Sequence, residues 1–173
     1  MKKIVFTLAF MSSILVHAQA YPRFDTNQEL KFNIGLFMAT TTVEGSYEYF
    51  LSGDTSVGGT LYFDNTADDY NGNFGIGPNF RVYFGYAPRS GFFAEAFGLY
   101  YTGEDDSLAT NDLNVRDNRY NTLALGIGLG NKWVTRSERF SLEINGGLGR
   151  NVNAVDFQDT FMYRAGFSIG FRF

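Results

Sequence analysis

Acid–base or nucleophilic chemistry needs a base held beside a nucleophile, and this sequence is short of both. Its single histidine, His17, falls among the first twenty residues, and it has no cysteine. Thiolate nucleophiles, thiolate metal centres and disulfides are therefore excluded. So is a lipoprotein anchor, which needs a cysteine at the mature N-terminus. What remains are charged side chains that interrupt apolar stretches: Lys31, Glu44, Glu48, Arg81, Glu95, Lys132, Glu143, Arg164 and Arg172. Their five cations and four carboxylates nearly cancel. Such a set can line a polar pathway, or it can close one with ion pairs and hydrogen bonds. No catalytic, cofactor-binding or metal-binding residue is assigned among them.

Two other patterns invite a chemical reading. Gly126-x-Gly128-x-Gly130 alternates with Ile127 and Leu129, so its glycines share one face of a strand. There they make room for Tyr and Phe from across the interior; they are not a dinucleotide loop. Gly146-Gly147-x-Gly149 reads the same way. Asp68, Asp69, Asn71 and Asn73 offer oxygen ligands without the spacing of a calcium loop, and are expected in a solvated loop. A formal charge of −4, more negative once Lys2 and Lys3 are removed, argues against binding nucleic acid through its phosphates.

The charged residues are positioned by segments that alternate. Met1-Lys2-Lys3, the apolar stretch Ile4 to Val16 and Ala18-Gln19-Ala20 have the three regions of a cleaved signal peptide, residues 1–20. Cleavage falls after Ala20 or Ala18. The apolar run is too short for a spanning helix, which needs about 20 residues. Residues 21–27 form a periplasmic lead-in, and residues 28–173 show a period of two. In the last segment Phe161, Tyr163, Ala165, Phe167, Ile169, Phe171 and Phe173 share a face opposite Arg164, Gly166, Ser168, Gly170 and Arg172. A strand has this period because successive side chains point to opposite faces. The pattern recurs from Leu30 through Phe32, Ile34 and Leu36 to Met38, and from Val43, Val57, Phe74, Leu123 and Leu142. Between Phe92 and Tyr101 both faces carry aromatics; Glu95 is placed inward because a lipid-facing carboxylate is costly.

About eight strands result, and closure is how strands satisfy their backbone groups in lipid. The fold expected is an all-β, eight-stranded antiparallel up-and-down transmembrane β-barrel. The connections at Ser52-Gly53-Asp54, Ala87-Pro88-Arg89-Ser90 and Thr135 to Arg139 are short. Those from Asp64 to Gly72, Gly103 to Arg119 and Asn151 to Asp159 are long and acidic, with Asp64, Asp105, Asp106, Asp112, Asp117 and Asp159 among their residues. The first, around Thr40 and Thr41, is expected to be tight. Short turns inside and long loops outside put both termini on the periplasmic side. Tyr49, Tyr86, Trp133 and Phe173 would then mark the inner interface, and Phe63, Phe74 and Phe161 the outer one.

The ending Tyr163-Arg-Ala-Gly-Phe-Ser-Ile-Gly-Phe-Arg-Phe173 resembles the C-terminal signal by which the barrel assembly machinery recognises outer-membrane barrels. Tyr163, Phe167, Ile169, Phe171 and Phe173 carry that likeness, and Ser168 stands where the signal prefers Gly. Glu44 to Leu51 and Gly128 to Val134 are similar to segments of small uncharacterised outer-membrane barrels, and the size resembles the OmpX and OmpA transmembrane-domain type. The resemblance implies a Gram-negative outer-membrane location, contact with outer-membrane lipid and lipopolysaccharide, and a monomer. Barrel enzymes that act on lipid A depend on a histidine, and none follows His17, so the resemblance implies no enzyme and no cofactor. The function expected is a structural or surface-interaction role through the acidic loops, with an extracellular ligand not named by the sequence. A narrow channel through the charged interior and a secreted soluble barrel holding a small apolar ligand are the alternatives.

Overall fold

The computed structural model describes residues 26–65, 71–104, 119–153 and 159–173. The signal segment, most of the lead-in, and Asp68, Asp69, Asp105, Asp106, Asp112 and Asp117 lie outside them. Eight strands follow in order: β1 (Gln28–Asn33), β2 (Val43–Phe50), β3 (Thr55–Phe63), β4 (Phe74–Tyr83), β5 (Gly91–Glu104), β6 (Arg119–Val134), β7 (Phe140–Asn151) and β8 (Phe161–Arg172). Each pairs antiparallel with its neighbour, and β1 pairs with β8, so the sheet closes into an up-and-down barrel. The closing register runs from Glu29 opposite Arg172 to Asn33 opposite Ser168.

Alternation sets which side each residue takes. Leu125, Ile127 and Leu129 of β6 are exposed on the outer face while Ala124 and Lys132 are buried within. In β5, Phe93, Glu95, Phe97, Leu99 and Tyr101 are buried, and Phe92 and Tyr100 are exposed. The interior is filled in layers. Phe50, Tyr83 and Phe93 pack together at the end that holds both termini. Tyr62, Phe97, Leu99, Tyr101, Ala124 and Met162 pack at the opposite end, and the charged residues lie between. The inner glycines are spaces for these rings: a β-carbon on Gly126 would overlap Phe97, and one on Gly130 would overlap Phe93. Those phenylalanines belong to the adjacent strand β5, not to the far wall.

Two expectations are corrected. The segment after Asn33 does not continue as a strand to Met38, nor is the first connection merely tight. Ile34–Thr40 is a helix, α1, whose N-cap Asn33 side chain accepts from the Leu36 amide at 3.0 Å. Thr41, at φ 61°, ends it by donating its amide N–H to the Phe37 carbonyl. The run Ile34-Gly35-Leu36-Phe37-Met38 is apolar at nearly every position, so it fits either period. Asp64 begins the connection after β3, as expected, but does not face solvent. It is buried and accepts a hydrogen bond from the Thr42 hydroxyl, which ties the end of β3 to the end of the α1 connection.

Candidate functional site

The charged side chains meet because they occupy inward positions at similar heights on neighbouring strands. Lys31 of β1, Glu48 of β2, Arg81 of β4, Lys132 of β6 and Glu143 of β7 are each at most 5% exposed. Glu48 is the hub. Its Oε2 lies 2.7 Å from Lys132 Nζ, 2.9 Å from Lys31 Nζ and 3.3 Å from Arg81 Nη1. Its Oε1 accepts from Ser56 Oγ at 2.5 Å and from the Tyr83 hydroxyl. Glu143 Oε2 lies 2.9 Å from Arg81 Nη1, 3.1 Å from Lys31 Nζ and 3.4 Å from Lys132 Nζ. Arg81 Nε donates to Glu95 Oε2 at 2.5 Å.

Glu44 and Arg164 sit nearer the end opposite the termini, joined at 3.8 Å, with Arg164 also 3.5 Å from Glu95. Arg172 sits at the terminal end. There it meets a residue that sequence reasoning missed. Glu29 is fully buried, accepts from Arg172 Nε at 2.8 Å and Ser141 Oγ at 2.6 Å, and lies 3.3 Å from Lys132 Nζ. The signal for it was in the pattern, since Leu30 and Phe32 face outward and Glu29 therefore shares the inner face with Lys31. With Glu29 included, the described ion pairs join five cations to five carboxylates.

Rings complete the packing. Arg81 lies 4.6 Å from the Phe93 ring centre, Arg172 4.9 Å from that of Phe50, and Arg164 4.9 Å from that of Phe97. Arg89 lies in the short turn before β5, as expected, and its side chain is folded under the barrel. Its Nη1 donates to the Thr26 carbonyl at 2.6 Å, and its own carbonyl accepts from Arg172 Nη2 at 2.6 Å. Burial, then the nearby Arg172 charge, lower its pKa from the ordinary arginine value.

The chemistry open to this arrangement is limited. Glu29, Glu48 and Glu143 come close enough to hold a cation among the described residues, but the Lys132 ammonium already lies within 3.4 Å of all three. Among the described residues the serine hydroxyls that meet these carboxylates, Ser56 on Glu48 and Ser141 on Glu29, are buried with them. Of the calcium candidates within the described residues, Asn71 donates its side-chain amide to the Tyr163 carbonyl at 3.0 Å, and Asn73 receives the Asp64 amide on its carbonyl at 2.8 Å. The proposed assembly residues Tyr163, Phe167, Ile169, Phe171 and Phe173 all lie exposed on the outer face.

The fold is similar to the crystal structure of the N-terminal β-barrel domain of Pseudomonas aeruginosa OprF, with a TM-score of 0.57 and 19% identity over 86% of this chain and 98% of that one. No curated protein matches the sequence. A family model described as "Protein of unknown function (DUF3575)" matches residues 4–165.

Proposed function

The chain belongs to the DUF3575 family, and we propose that it is a non-enzymatic β-barrel of a Gram-negative outer membrane, working through its outer loops. The observation that carries this reading is the inverted polarity of the barrel. Ile127, Tyr163, Leu125 and Phe161 are 73%, 67%, 56% and 56% exposed on the outside, while the charged residues are sealed within. Water would charge heavily for such an exterior, and a bilayer would not. Closure supports the same reading, because it leaves no unpaired sheet edge along most of the wall. A soluble barrel holding an apolar ligand would need the opposite arrangement.

In this reading residues 1–20 direct export, the aromatic C-terminus addresses the barrel assembly machinery, and the monomer sits in outer-membrane lipid and lipopolysaccharide. The balanced ion-pair cluster favours a structural plug over a channel, since side chains just fill an eight-stranded barrel.

The test is semi-native electrophoresis of the expressed protein from isolated outer membranes. An unheated band that migrates faster than the boiled one, confined to that fraction, is the expected result. A heat-insensitive species in the soluble periplasm would overturn the membrane assignment.

A further inference from the structure

The barrel wall is notched at its closing seam. β1 ends at Asn33, but β8 continues from Ser168 to Phe161 with no β1 partner, and β2 begins only at Val43. Two asparagine side chains stand in for the missing strand. Asn33 accepts from the Phe167 amide at 3.2 Å and donates to the Ala165 carbonyl at 3.4 Å, and Asn71 donates to the Tyr163 carbonyl. An open strand edge is costly in lipid, and α1 covers this one. Its Leu36 is buried, while Phe37 and Met38 are exposed. Gly35 lies so near β8 that a β-carbon built on it would stand 2.8 Å from that of Phe167. Seven residues are too few to hold a helix without such contacts.

Behind the notch stand Glu44 and Arg164. Arg164 reaches Glu95 Oε1 at 3.5 Å and Thr60 Oγ1 at 3.4 Å. Glu44, with a side chain 9% exposed, has a buried Oε2 that lies 3.8 Å from Arg164 Nη2 and accepts no hydrogen bond among the described residues. A buried carboxylate oxygen normally finds a donor. Tyr62 of the packed ring layer stands level with Glu44 on the neighbouring strand, and the ion-pair cluster lies toward the termini.

We propose that α1 is a movable plug in a lateral portal between β8 and β2, through which a bilayer-dissolved amphiphile brings a hydrogen-bond-donating head to Glu44 Oε2. A hydroxyl or ammonium head fits that oxygen. The inference rests on the outer-membrane reading, and its test separates the two.

The chain has no cysteine, so introduced thiols are unique reporters. Thr60→Cys places one beside Arg164, and Ile127→Cys places one on the outer face as a control. In proteoliposomes, a bilayer-soluble alkyl maleimide should label both, and a charged water-soluble methanethiosulfonate neither. A disulfide between Gly35→Cys and Phe167→Cys should lower Thr60→Cys labelling at least tenfold. Gly35→Leu, which wedges α1 away from β8, should raise it. Dodecylamine should protect Thr60→Cys, with protection lost in Glu44→Gln, and dodecyl sulfate should not protect. Labelling of Ile127→Cys without labelling of Thr60→Cys, or labelling indifferent to the disulfide, would overturn the portal. Equal protection by dodecyl sulfate would overturn the donor-head assignment. Water-soluble labelling of Ile127→Cys would instead overturn the membrane reading itself.

Discussion

At the scale of single residues, the interior depends on Glu48 more than on any other carboxylate described. It faces Lys31, Arg81 and Lys132 at once and also receives Ser56 and Tyr83. Neutralising it strands buried positive charge with fewer partners, and breaking a buried pair from one side costs about 3–5 kcal/mol. Glu48→Gln should therefore lower the unfolding free energy, read from a urea titration of the fast-migrating gel band, by an amount in that range. A loss below about 1 kcal/mol, the size of an exposed pair, would mean that water screens the interior. Eight of the nine charged positions were legible because each interrupts an apolar alternation, and Glu95 because a lipid-facing carboxylate is costly. Glu29 was missed at the margin of the first segment, and the inward turn of Arg89 follows from a backbone with φ 56° that no periodicity records.

At the scale of elements, the strands need glycine where a neighbouring ring crosses the inner face. Gly75 of β4 lies opposite Tyr62 of β3, and the nearest atoms that a β-carbon there would meet belong to the Tyr62 side chain. Gly75→Ala should destabilise the barrel by about 1–3 kcal/mol through overpacking. Combining it with Tyr62→Leu should recover part of that loss, since contacting residues couple. Urea midpoints of the two single variants and the pair would check this; strictly additive losses would show that Gly75 serves another purpose. α1 is the element that alternation misread. Its apolar residues suit a strand or a helix, and the choice is made by the Asn33 cap and by the close approach of Gly35 to β8.

At the scale of the whole molecule, the layered interior predicts electrical silence. Apolar rings close one end, balanced ion pairs fill the middle, and Phe50, Tyr83 and Phe93 with Arg89 close the other. Purified protein in planar bilayers should show no steady single-channel current, and a reproducible conductance blocked by Lys132→Glu would restore the channel alternative. A lateral portal is consistent with silence, because it connects the interior to lipid and not to the second aqueous phase.

By itself the sequence determined a count of about eight strands, the inward and outward faces of all of them but β5, and the charged character of the interior. Each of these follows from alternation with a period of two, which is a local property. Only the tertiary structure decided which charges meet, because pairs such as Lys31 with Glu143 and Glu29 with Arg172 join residues far apart in the chain. It also decided where the wall is incomplete. The heights of β1, β2 and β8 are set by the register on closure, and closure is a property of all eight strands together.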